Sequence, residues 1–291
     1  MTDDPYVTHR RLLFTVAYEM LGSAVDAEDV LQETWLKWHR ADRAEVRDPR
    51  AYLVRIVTRT LLDRLRAVAR RREEYVGPWL PEPLLTSPDV AEDLELADSL
   101  STAMLLVLET LTPTERAVFL LRDVFDLGYG ELAEAVGKSE VAVRQIAHRA
   151  RGRVAERRPR KAASQAETRT ALEAFMSTLR TGDLQHLVDV LAPDVVALGD
   201  GGGIKQALPR PVMGADKVGK LMGVGIAAAR EMGMSMELVD VNGWPALLIR
   251  LDGEIDSVLS VRVDEGLVSA IYTVRNPEKL SRMVEESSLT R

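Results

Sequence analysis

The sequence contains no cysteine, few aromatic residues and only four histidines. Without cysteine the chain has no disulfide, no thiolate metal ligand and no cysteine nucleophile. Aromatic residues make up 5% of the chain, which argues against an extended surface for stacking bases or sugars. The histidines lack the spacing of metal ligands; they are His9, His39, His148 and His186. We therefore expect neither a metal site nor a cofactor.

Long apolar segments are also absent. The N-terminus has no apolar core of the signal-peptide type, and no run of about eighteen apolar residues occurs anywhere. We therefore expect a cytoplasmic protein that does not contact the membrane. With 291 residues, 46% of them hydrophobic, the chain is long enough for two or three domains with ordinary cores.

Basic residues are distributed unevenly, although the formal net charge is -7. From Arg43 to Arg72 there are ten basic and three acidic residues, and from Arg144 to Lys161 there are eight and one. The intervening segment, Glu73 to Val143, has three basic and fifteen acidic residues. Two basic blocks separated by an acidic spacer indicate two contacts with one long anion, and DNA is the obvious candidate.

The first basic block lies in a helical segment. Apolar residues at helical spacing predict a helix that ends at Gly22, followed by a second helix that Asp26 can cap. Asp48 followed by Pro49 predicts the start of a third helix, which runs towards Arg72. A basic amphipathic helix can also bind acidic proteins or membrane surfaces, so phosphate contact is a preference here.

A proline-rich linker follows. Three prolines between Pro78 and Pro83 exclude a helix and predict an extended segment. Because Trp79 and Leu80 are embedded in it, we expect this linker to lie against another part of the protein.

The second basic block has the layout of a helix-turn-helix. Thr112 to Glu115 predicts a capped helix start. A later short helix ends at Gly137, and Ser139 caps the next one. That next helix has an apolar stripe and an opposite arc of donors for base edges and phosphates: Arg144, Gln145, His148, Arg149 and Arg151. The simpler alternative is an amphipathic helix whose arginines face solvent.

The last part of the chain changes period from helical to alternating. Four segments have the pattern of strands: 234–241, 246–251, 255–263 and 267–274. The pairs Asn242-Gly243, Asp252-Gly253 and Glu265-Gly266 predict hairpin turns between them. The Gly-rich loop 199–203 could hold an anion through its amides or allow another segment to approach closely, and the second alternative is preferred.

Several of these segments resemble bacterial sigma factors. Asp26 to Trp35 resembles the polymerase-binding part of region 2, and Asp48 to Arg66 resembles the adjoining part that melts the promoter and reads the −10 element. Leu111 to Arg158 resembles region 4, which reads the −35 element. Because no region 3 lies between them, the resemblance points to the extracytoplasmic-function group.

The rest of the chain resembles the subgroup of these sigma factors that carries a fused SnoaL-like domain. Residues 75–84 are similar to its linker. Its Asp-Gly-Gly-Gly-Lys motif corresponds to residues 200–205, with Ile204 inserted, and its Asn-Pro-Asp-Lys-Leu motif to residues 276–280, with Glu278 for aspartate. The implied domains are region 2 (1–74), the linker (75–88), region 4 (89–161) and the SnoaL-like domain (162–291). The implied fold is thus two all-α domains and one cone-shaped α+β domain of the SnoaL/NTF2-like type.

The resemblance also implies partners and the residues that contact them. The expected partners are core RNA polymerase, through its β′ clamp helices and β flap, and promoter DNA, with no obligatory separate anti-sigma factor. The residues implied for the clamp helices are Asp26, Asp29, Gln32, Glu33 and Trp35. Those implied for the −10 element are Arg43, Arg47, Arg55, Arg59, Arg64 and Arg66. Those implied for the −35 element are Ser139 and the donor arc of the second helix.

The third domain is expected to regulate the protein and not to be an enzyme. We expect it to contact the linker and so set the placement of the two DNA-binding regions; a small-molecule ligand in its pocket stays open. The residues implied in this contact are Trp79, Leu80, Pro81, Glu82, Pro83, Asp200, Gly201, Gly202, Gly203, Lys205, Asn276, Pro277, Lys279 and Leu280.

Two other functions are compatible with parts of the sequence. A repressor or activator with a ligand-sensing domain would explain the second basic block but not the first. An isomerase or cyclase of the SnoaL type with a DNA-binding appendage is the other alternative, although no inward-facing carboxylate pair stands out.

Overall fold

The computed structural model describes residues 4–157, 163–181, 184–283, 286–287 and 289–290. The chain divides into two compact units. The helical unit comprises Met1–Glu74, Glu92–Arg158 and Ser288–Arg291; the α+β unit comprises Tyr75–Ala91 and Pro159–Ser287. The proline-rich linker therefore belongs to the α+β unit and not to the helices that it connects. The four predicted domain limits stay a prediction, and the limit at 161–162 lies outside the described residues.

Three long helices begin the helical unit: α1 (Pro5–Leu21), α2 (Ala24–Arg40) and α3 (Pro49–Glu73), with a 3-10 turn at Arg43–Glu45. The Asp48 carboxylate caps α3 as predicted. The predicted cap of α2 is wrong. Ser23 accepts the N–H of Asp26 at 3.3 Å, because α1 ends at Gly22 (φ 64°) and α2 begins directly after the turn.

The two tryptophans of α2 have different environments. Trp38 is 1% exposed, and its indole N–H donates to the Asp4 carboxylate at 2.9 Å. Trp35 is 40% exposed. Trp38 is therefore part of the core of the helical unit, whereas Trp35 lies on its surface.

Shorter helices complete the helical unit. Helix α4 (Pro88–Glu92) ends the linker, and only its last residue belongs to the helical unit. The helices that follow it in the helical unit are α5 (Leu94–Leu100), α6 (Thr102–Leu108), α7 (Pro113–Phe119), α8 (Tyr129–Val136) and α9 (Glu140–Arg157), with a π-helical turn at Leu120–Val124 between α7 and α8. The predicted capping box is present, because Thr112 and Glu115 exchange side-chain and backbone hydrogen bonds. Gly137 ends α8 in the left-handed conformation (φ 67°), and the Ser139 hydroxyl accepts the Ala142 N–H at the start of α9. The predicted helix-turn-helix layout is confirmed.

The α+β unit contains one six-stranded sheet in the order β2-β1-β6-β5-β4-β3. Its strands are β1 (Leu191–Asp200), β2 (Val212–Met213), β3 (Ser235–Val241), β4 (Trp244–Leu251), β5 (Glu254–Asp264) and β6 (Leu267–Val274). Strand β1 pairs in parallel with β6, and the other neighbours are antiparallel. The four predicted strands are confirmed as β3 to β6. The helices of this unit are α10 (Gln165–Thr181), α11 (Leu184–Asp189), α12 (Ala215–Glu231) and α13 (Pro277–Leu280).

One face of the sheet forms the core of the α+β unit. Apolar residues of α10 to α12 pack there against β1, β4, β5 and β6; examples are Phe175, Val218, Leu247 and Ile271. The hairpin turns form where predicted, and both residues of each pair have positive φ, as in Asn242 (54°) and Gly243 (74°).

A buried carboxylate joins the two parts of the helical unit. Glu19 of α1 is 0% exposed, and its carboxylate hydrogen-bonds the Ser99 hydroxyl of α5 at 2.7 Å. Its backbone carbonyl accepts from the Arg116 guanidinium of α7 at 2.9 and 3.1 Å. Burial raises the pKa of Glu19 to about 8, against the opposing effects of Ser99 and Arg116.

We expect Glu19→Gln to flatten the pH dependence of stability. Because its pKa is raised on folding, the folded chain keeps a proton that the unfolded chain releases above its ordinary pKa of 4.5, so stability falls as the pH rises towards 8. Glutamine cannot ionise. The variant should therefore exceed the wild type by about 2–4 kcal/mol in free energy of unfolding near pH 8.5 and match it near pH 5.

Thermal and urea unfolding between these pH values would measure this effect, with the exposed Glu156→Gln as the control that leaves the pH dependence unchanged. Parallel pH profiles for the wild type and Glu19→Gln would contradict the expectation.

Candidate functional site

The acidic face of α2 is exposed next to apolar side chains. Asp29, Gln32 and Glu33 are exposed, and beside them Trp35 and Leu36 are 40% and 41% exposed. The Trp35 ring stacks on the His39 ring at 5.0 Å between centroids. An exposed tryptophan among carboxylates suits a basic, partly apolar protein surface.

Arg64 of α3 lies inside this region and not on an open DNA-binding face. Its guanidinium contacts the carboxylates of Asp26 at 3.0 Å and Asp29 at 2.6 Å. Ion pairs therefore join one predicted −10 residue, Arg64, to two predicted polymerase-contact residues, and they hold α3 to α2. The side chain of Arg66 lies outside the described part of the chain.

A cleft separates the start of α3 from α8. Its volume is about 620 Å³, and both carboxylates and arginines line it, among them Asp42, Glu45, Arg47, Arg55 and Glu134. The Arg55 guanidinium lies 5.0 Å from the centroid of the Tyr52 ring and 3.2 Å from the Glu134 carboxylate. Arg59 donates to the Glu134 carbonyl oxygen at 2.9 Å. Glu134 thus binds two of the predicted −10 arginines.

Two further predicted −10 residues, Arg43 and Arg47, precede α3 in the chain. Arg43 lies over the Trp38 ring at 5.1 Å and pairs with Asp4 at 3.5 Å. Arg47 is exposed. Both side chains are in reach of solvent, as contact with an external anion requires.

Helix α9 buries its apolar stripe and exposes its donors. Arg144, Gln145, His148 and Arg149 are exposed on the arc away from the core. Arg151 differs, because its guanidinium binds the Asp123 carboxylate at 2.7 and 2.8 Å. The hydroxyl of Ser139 caps α9. Of the predicted −35 residues, Arg144, Gln145, His148 and Arg149 are thus exposed to solvent, whereas Arg151 and Ser139 hold α9 in place.

In the α+β unit, the linker packs around a buried carboxylate. Asp200, at the end of β1, is 0% exposed. It accepts hydrogen bonds from the Tyr75 hydroxyl at 2.6 Å and the Leu80 N–H at 2.9 Å, and its partner cation is Lys279 of α13 at 2.7 Å. Burial raises the pKa of Tyr75, as does its hydrogen bond to Asp200, so the hydroxyl keeps its proton and acts as the donor.

Lys279 completes this arrangement, which we call the linker node: Tyr75, Trp79, Leu80, Asp200, Asn276 and Lys279. The Lys279 ammonium lies 4.3 Å from the centroid of the Trp79 ring and donates to the Leu80 carbonyl. The Asn276 amide donates to the Tyr75 hydroxyl at 2.9 Å. The structure thus brings together the linker, the Gly-rich loop that follows β1 and residues 276–280, which were expected to meet. Tyr75, which was not among the predicted site residues, belongs to the same node.

Further along, the linker pairs with the edge of the sheet. The N–H of Thr86 donates to the Asp240 carbonyl, and Leu84 and Asn242 exchange hydrogen bonds at 2.9 and 3.0 Å. Leu80 to Leu84 are buried, including the predicted contacts Pro81, Glu82 and Pro83. Burial and backbone pairing together hold the linker along the α+β unit.

The Gly-rich loop is tight because other groups approach its backbone. A Cβ on Gly201 would lie 2.0 Å from the Lys205 carbonyl oxygen, and a Cβ on Gly202 would lie 2.3 Å from the Asn276 amide nitrogen. Gly203 has φ +73° and contacts Val76 of the linker. The N–H of Gly202 donates to Asp200 within the same loop. These contacts favour the close-approach interpretation over an anion cradle.

Lys205 and the inserted Ile204 also have defined places. Ile204 is 57% exposed, so the insertion protrudes without disturbing the core. The Lys205 ammonium binds the Asp256 carboxylate at 3.1 Å, and Arg275 binds the same group at 2.9 Å. Burial alone would raise the pKa of Asp256, but these two cations hold it below its ordinary value.

Within the described residues, no helix is both long and apolar enough to cross a membrane. In the same part of the chain, no cluster of three or more histidine and carboxylate side chains could hold a metal ion.

Known proteins match most of this chain, and two family models match its helical parts. The sigma-70 region 2 family matches residues 6–72, and the sigma-70 region 4 family matches residues 101–154. The ECF RNA polymerase sigma factor SigJ of Mycobacterium tuberculosis is 35% identical over 94% of this chain and 91% of its own. The probable ECF sigma factor SigI of the same species is 30% identical over 96% and 94%.

A solved structure agrees with these relatives. The crystal structure of the M. tuberculosis sigma factor SigJ has a TM-score of 0.75 and 34% identity, and the match covers 94% of this chain and 96% of that one. The predicted fold class is confirmed: helical sigma domains precede an α+β domain of the SnoaL/NTF2-like type. Two sigma regions in one chain contradict the alternative of a one-component repressor.

We expect Gly202→Ala to destabilise the α+β unit more than Gly266→Ala does. Both glycines have positive φ (62° and 82°), so both variants carry the strain of a left-handed residue. Only the Cβ at position 202 meets another group, the amide of Asn276, whereas nothing lies within 4 Å at position 266. The difference should be about 1–3 kcal/mol in urea unfolding. Equal destabilisation by the two variants would show that the loop tolerates displacement of Asn276.

Proposed function

The chain belongs to the extracytoplasmic-function sigma factors of bacterial RNA polymerase, and on this premise we propose that its α+β unit regulates promoter use by holding the linker. Sigma factors bind core RNA polymerase and direct it to promoters at the start of transcription. The proposal adds that the α+β unit regulates this activity. The observation that carries it is the linker node, in which Asp200 binds the linker and α13 at the same time.

The linker has this influence because it connects the two DNA-binding regions. It leaves α3 at Tyr75 and returns to the helical unit after Ala91, and if fully extended these residues could span roughly 55–60 Å. A free linker of that length would permit many separations of regions 2 and 4. A linker docked on the α+β unit permits few, because both of its ends are then restrained. The α+β unit would in this way take the place of a separate anti-sigma protein.

For the −10 element we propose contacts from Arg43, Arg47, Arg55 and Arg59. Two of these arginines bind Glu134 in the present arrangement, so DNA phosphates would replace that carboxylate and carbonyl. An exposed ion pair such as Arg55–Glu134 is worth at most about 1 kcal/mol, which makes the exchange easy. For Arg64 we propose a structural role, because Asp26 and Asp29 already hold it.

For the −35 element we propose base or phosphate contacts from Arg144, Gln145, His148 and Arg149. Their exposure on one arc of the second helix of a helix-turn-helix supports this assignment. Ser139 and Arg151 would act by orienting α9, since the first caps it and the second ties it to Asp123.

For core polymerase we propose that the acidic face of α2 meets the β′ clamp helices, while region 4 meets the β flap. The exposed Trp35 and Leu36 support the first contact, because neighbouring exposed apolar side chains rimmed by polar residues are typical of protein-interaction sites.

We also propose that the α+β unit acts by binding and not by catalysis. Three of its buried or partly buried carboxylates already have cationic partners: Asp200 has Lys279, Asp256 has Lys205 and Arg275, and Asp264 has Arg262. A general base needs a carboxylate that is free to take a proton from a substrate. A small molecule bound in this unit would then act as a regulator of the linker.

Arg149→Ala should relax promoter choice at the −35 element. Loss of one base-reading arginine costs about 1–3 kcal/mol for the correct sequence and less for others, whereas loss of a phosphate contact weakens all sequences alike. Transcription by reconstituted holoenzyme from templates with a randomised upstream region would measure base preference at each position. Arg157→Ala on the same helix controls for lost charge. If both variants behave alike, Arg149 does not read bases.

Asp200→Asn should broaden the range of −10 to −35 spacer lengths that the holoenzyme uses. The change leaves Lys279, 12% exposed, without its buried counter-ion, and breaking such a pair typically costs about 3–5 kcal/mol. That loss is enough to release the linker from the node. Trp79→Ala should act in the same direction.

Run-off transcription on templates that differ by single base pairs in the spacer would test this regulation. Asp194→Asn, an exposed carboxylate on the same strand β1, is the matched control and should leave the spacer preference unchanged. Identical spacer profiles for Asp200→Asn, Trp79→Ala and the wild type would rule out regulation through the linker, but not the sigma-factor activity itself.

A further inference from the structure

Tyr129 lies at the start of α8, and its ring is surrounded by arginines. The guanidinium of Arg144 on α9 lies 4.3 Å from the ring centroid, and that of Arg122 lies 5.1 Å from it. Both distances are within the range of a cation–π interaction. Tyr129 was not among the predicted site residues, because nothing in helical spacing relates residue 129 to residue 144.

Arg122 is itself fixed in place. Its guanidinium donates to the Leu127 carbonyl at 2.8 Å and to the Asp126 carboxylate at 3.0 Å. These bonds hold the turn that leads into α8, so they also hold the backbone from which Tyr129 projects. The aromatic ring is therefore presented on a rigid support.

Arg144, in contrast, is 59% exposed in its side chain. Its ionic partner in the described part of the chain is Glu140, one turn earlier on the same helix, at 3.5 Å. An exposed arginine held by one such contact populates many rotamers. The side chain loses this conformational freedom when the arginine binds a base. The face of Tyr129 removes part of this freedom before DNA arrives.

We propose that Tyr129 is a positioning residue for promoter recognition, whose ring holds Arg144 in the orientation that reads the −35 element. This inference rests on the proposed role of Arg144. Tyr129 itself does not read a base; it acts through the arginine. Its effect should therefore be confined to the base positions that Arg144 reads.

The test uses the full chain in holoenzyme with core polymerase and the same pool of randomised templates. Tyr129→Leu should lower the preference at the positions affected by Arg144→Ala by roughly two- to fivefold, and leave the −10 preference unchanged. Tyr129→Phe keeps the aromatic face and loses only the hydroxyl that contacts Arg151, so it should retain the wild-type preference at the positions that Arg144 reads. In the double variant Tyr129→Leu/Arg144→Ala, the preference should equal that of Arg144→Ala alone.

A second measurement separates electrostatics from packing. Pentafluorophenylalanine at position 129 keeps the shape of phenylalanine but reverses the charge distribution of the ring, so it should reproduce the effect of leucine without disturbing the fold. Thermal unfolding of each variant identifies any that is misfolded, and the fluorinated residue keeps the test valid if Tyr129→Leu is one of these.

The outcomes distinguish this inference from the function on which it rests. If Arg144→Ala leaves every −35 preference unchanged, the assignment of Arg144 as a reader is wrong and the inference is lost with it. If Arg144→Ala has its effect but leucine and the fluorinated ring do not, only the role of Tyr129 is wrong. A loss that persists in the Arg144→Ala background would indicate a general structural role, which also overturns the proposal.

Discussion

The buried carboxylate of Asp200 is the constraint on which the arrangement of the linker depends. A carboxylate removed from water must be hydrogen-bonded and balanced by a cation, because a bare buried charge is strongly destabilising. Its partners come from the linker (Tyr75 and Leu80), from α13 (Lys279) and from its own glycine loop. Asp200 therefore cannot be buried unless the linker and α13 are both in place. Docking of the linker and completion of the α+β unit are coupled for this reason.

In the helical unit, several arginines bind carboxylates of the same chain. Arg64 binds Asp26 and Asp29, Arg55 binds Glu134, and Arg151 binds Asp123. Partly exposed pairs of this kind contribute little stability one by one, and a DNA backbone offers many phosphates at once. In the free chain these ion pairs can thus keep the arginines ordered. They are also weak enough for DNA phosphates to replace the carboxylates. The exposed arc of α9, with Arg149, is open already.

Local features were predicted well from sequence. The capping box at Thr112, the left-handed Gly137, the cap at Ser139 and the hairpin turn at Asn242 each depend on residues only a few positions apart. Features that depend on distant partners were missed or misplaced. Strand β1 pairs in parallel with the distant β6, and α12 contains glycines that weaken its helical signal. The contacts of Arg64 with Asp26 and Asp29 were not predicted, because these carboxylates lie on another helix.

The amino-acid sequence by itself determined the helices, the hairpins, the two basic blocks and the family, because these depend on short-range hydrogen bonds, on the periodicity of apolar residues and on contiguous motifs. Only the tertiary structure decided which charged groups meet. Tyr75 and Asp200 are 125 residues apart, and Arg55 and Glu134 are 79 apart. Such pairs leave no periodic trace in the sequence, since each forms only after separate elements have packed and excluded water from between them.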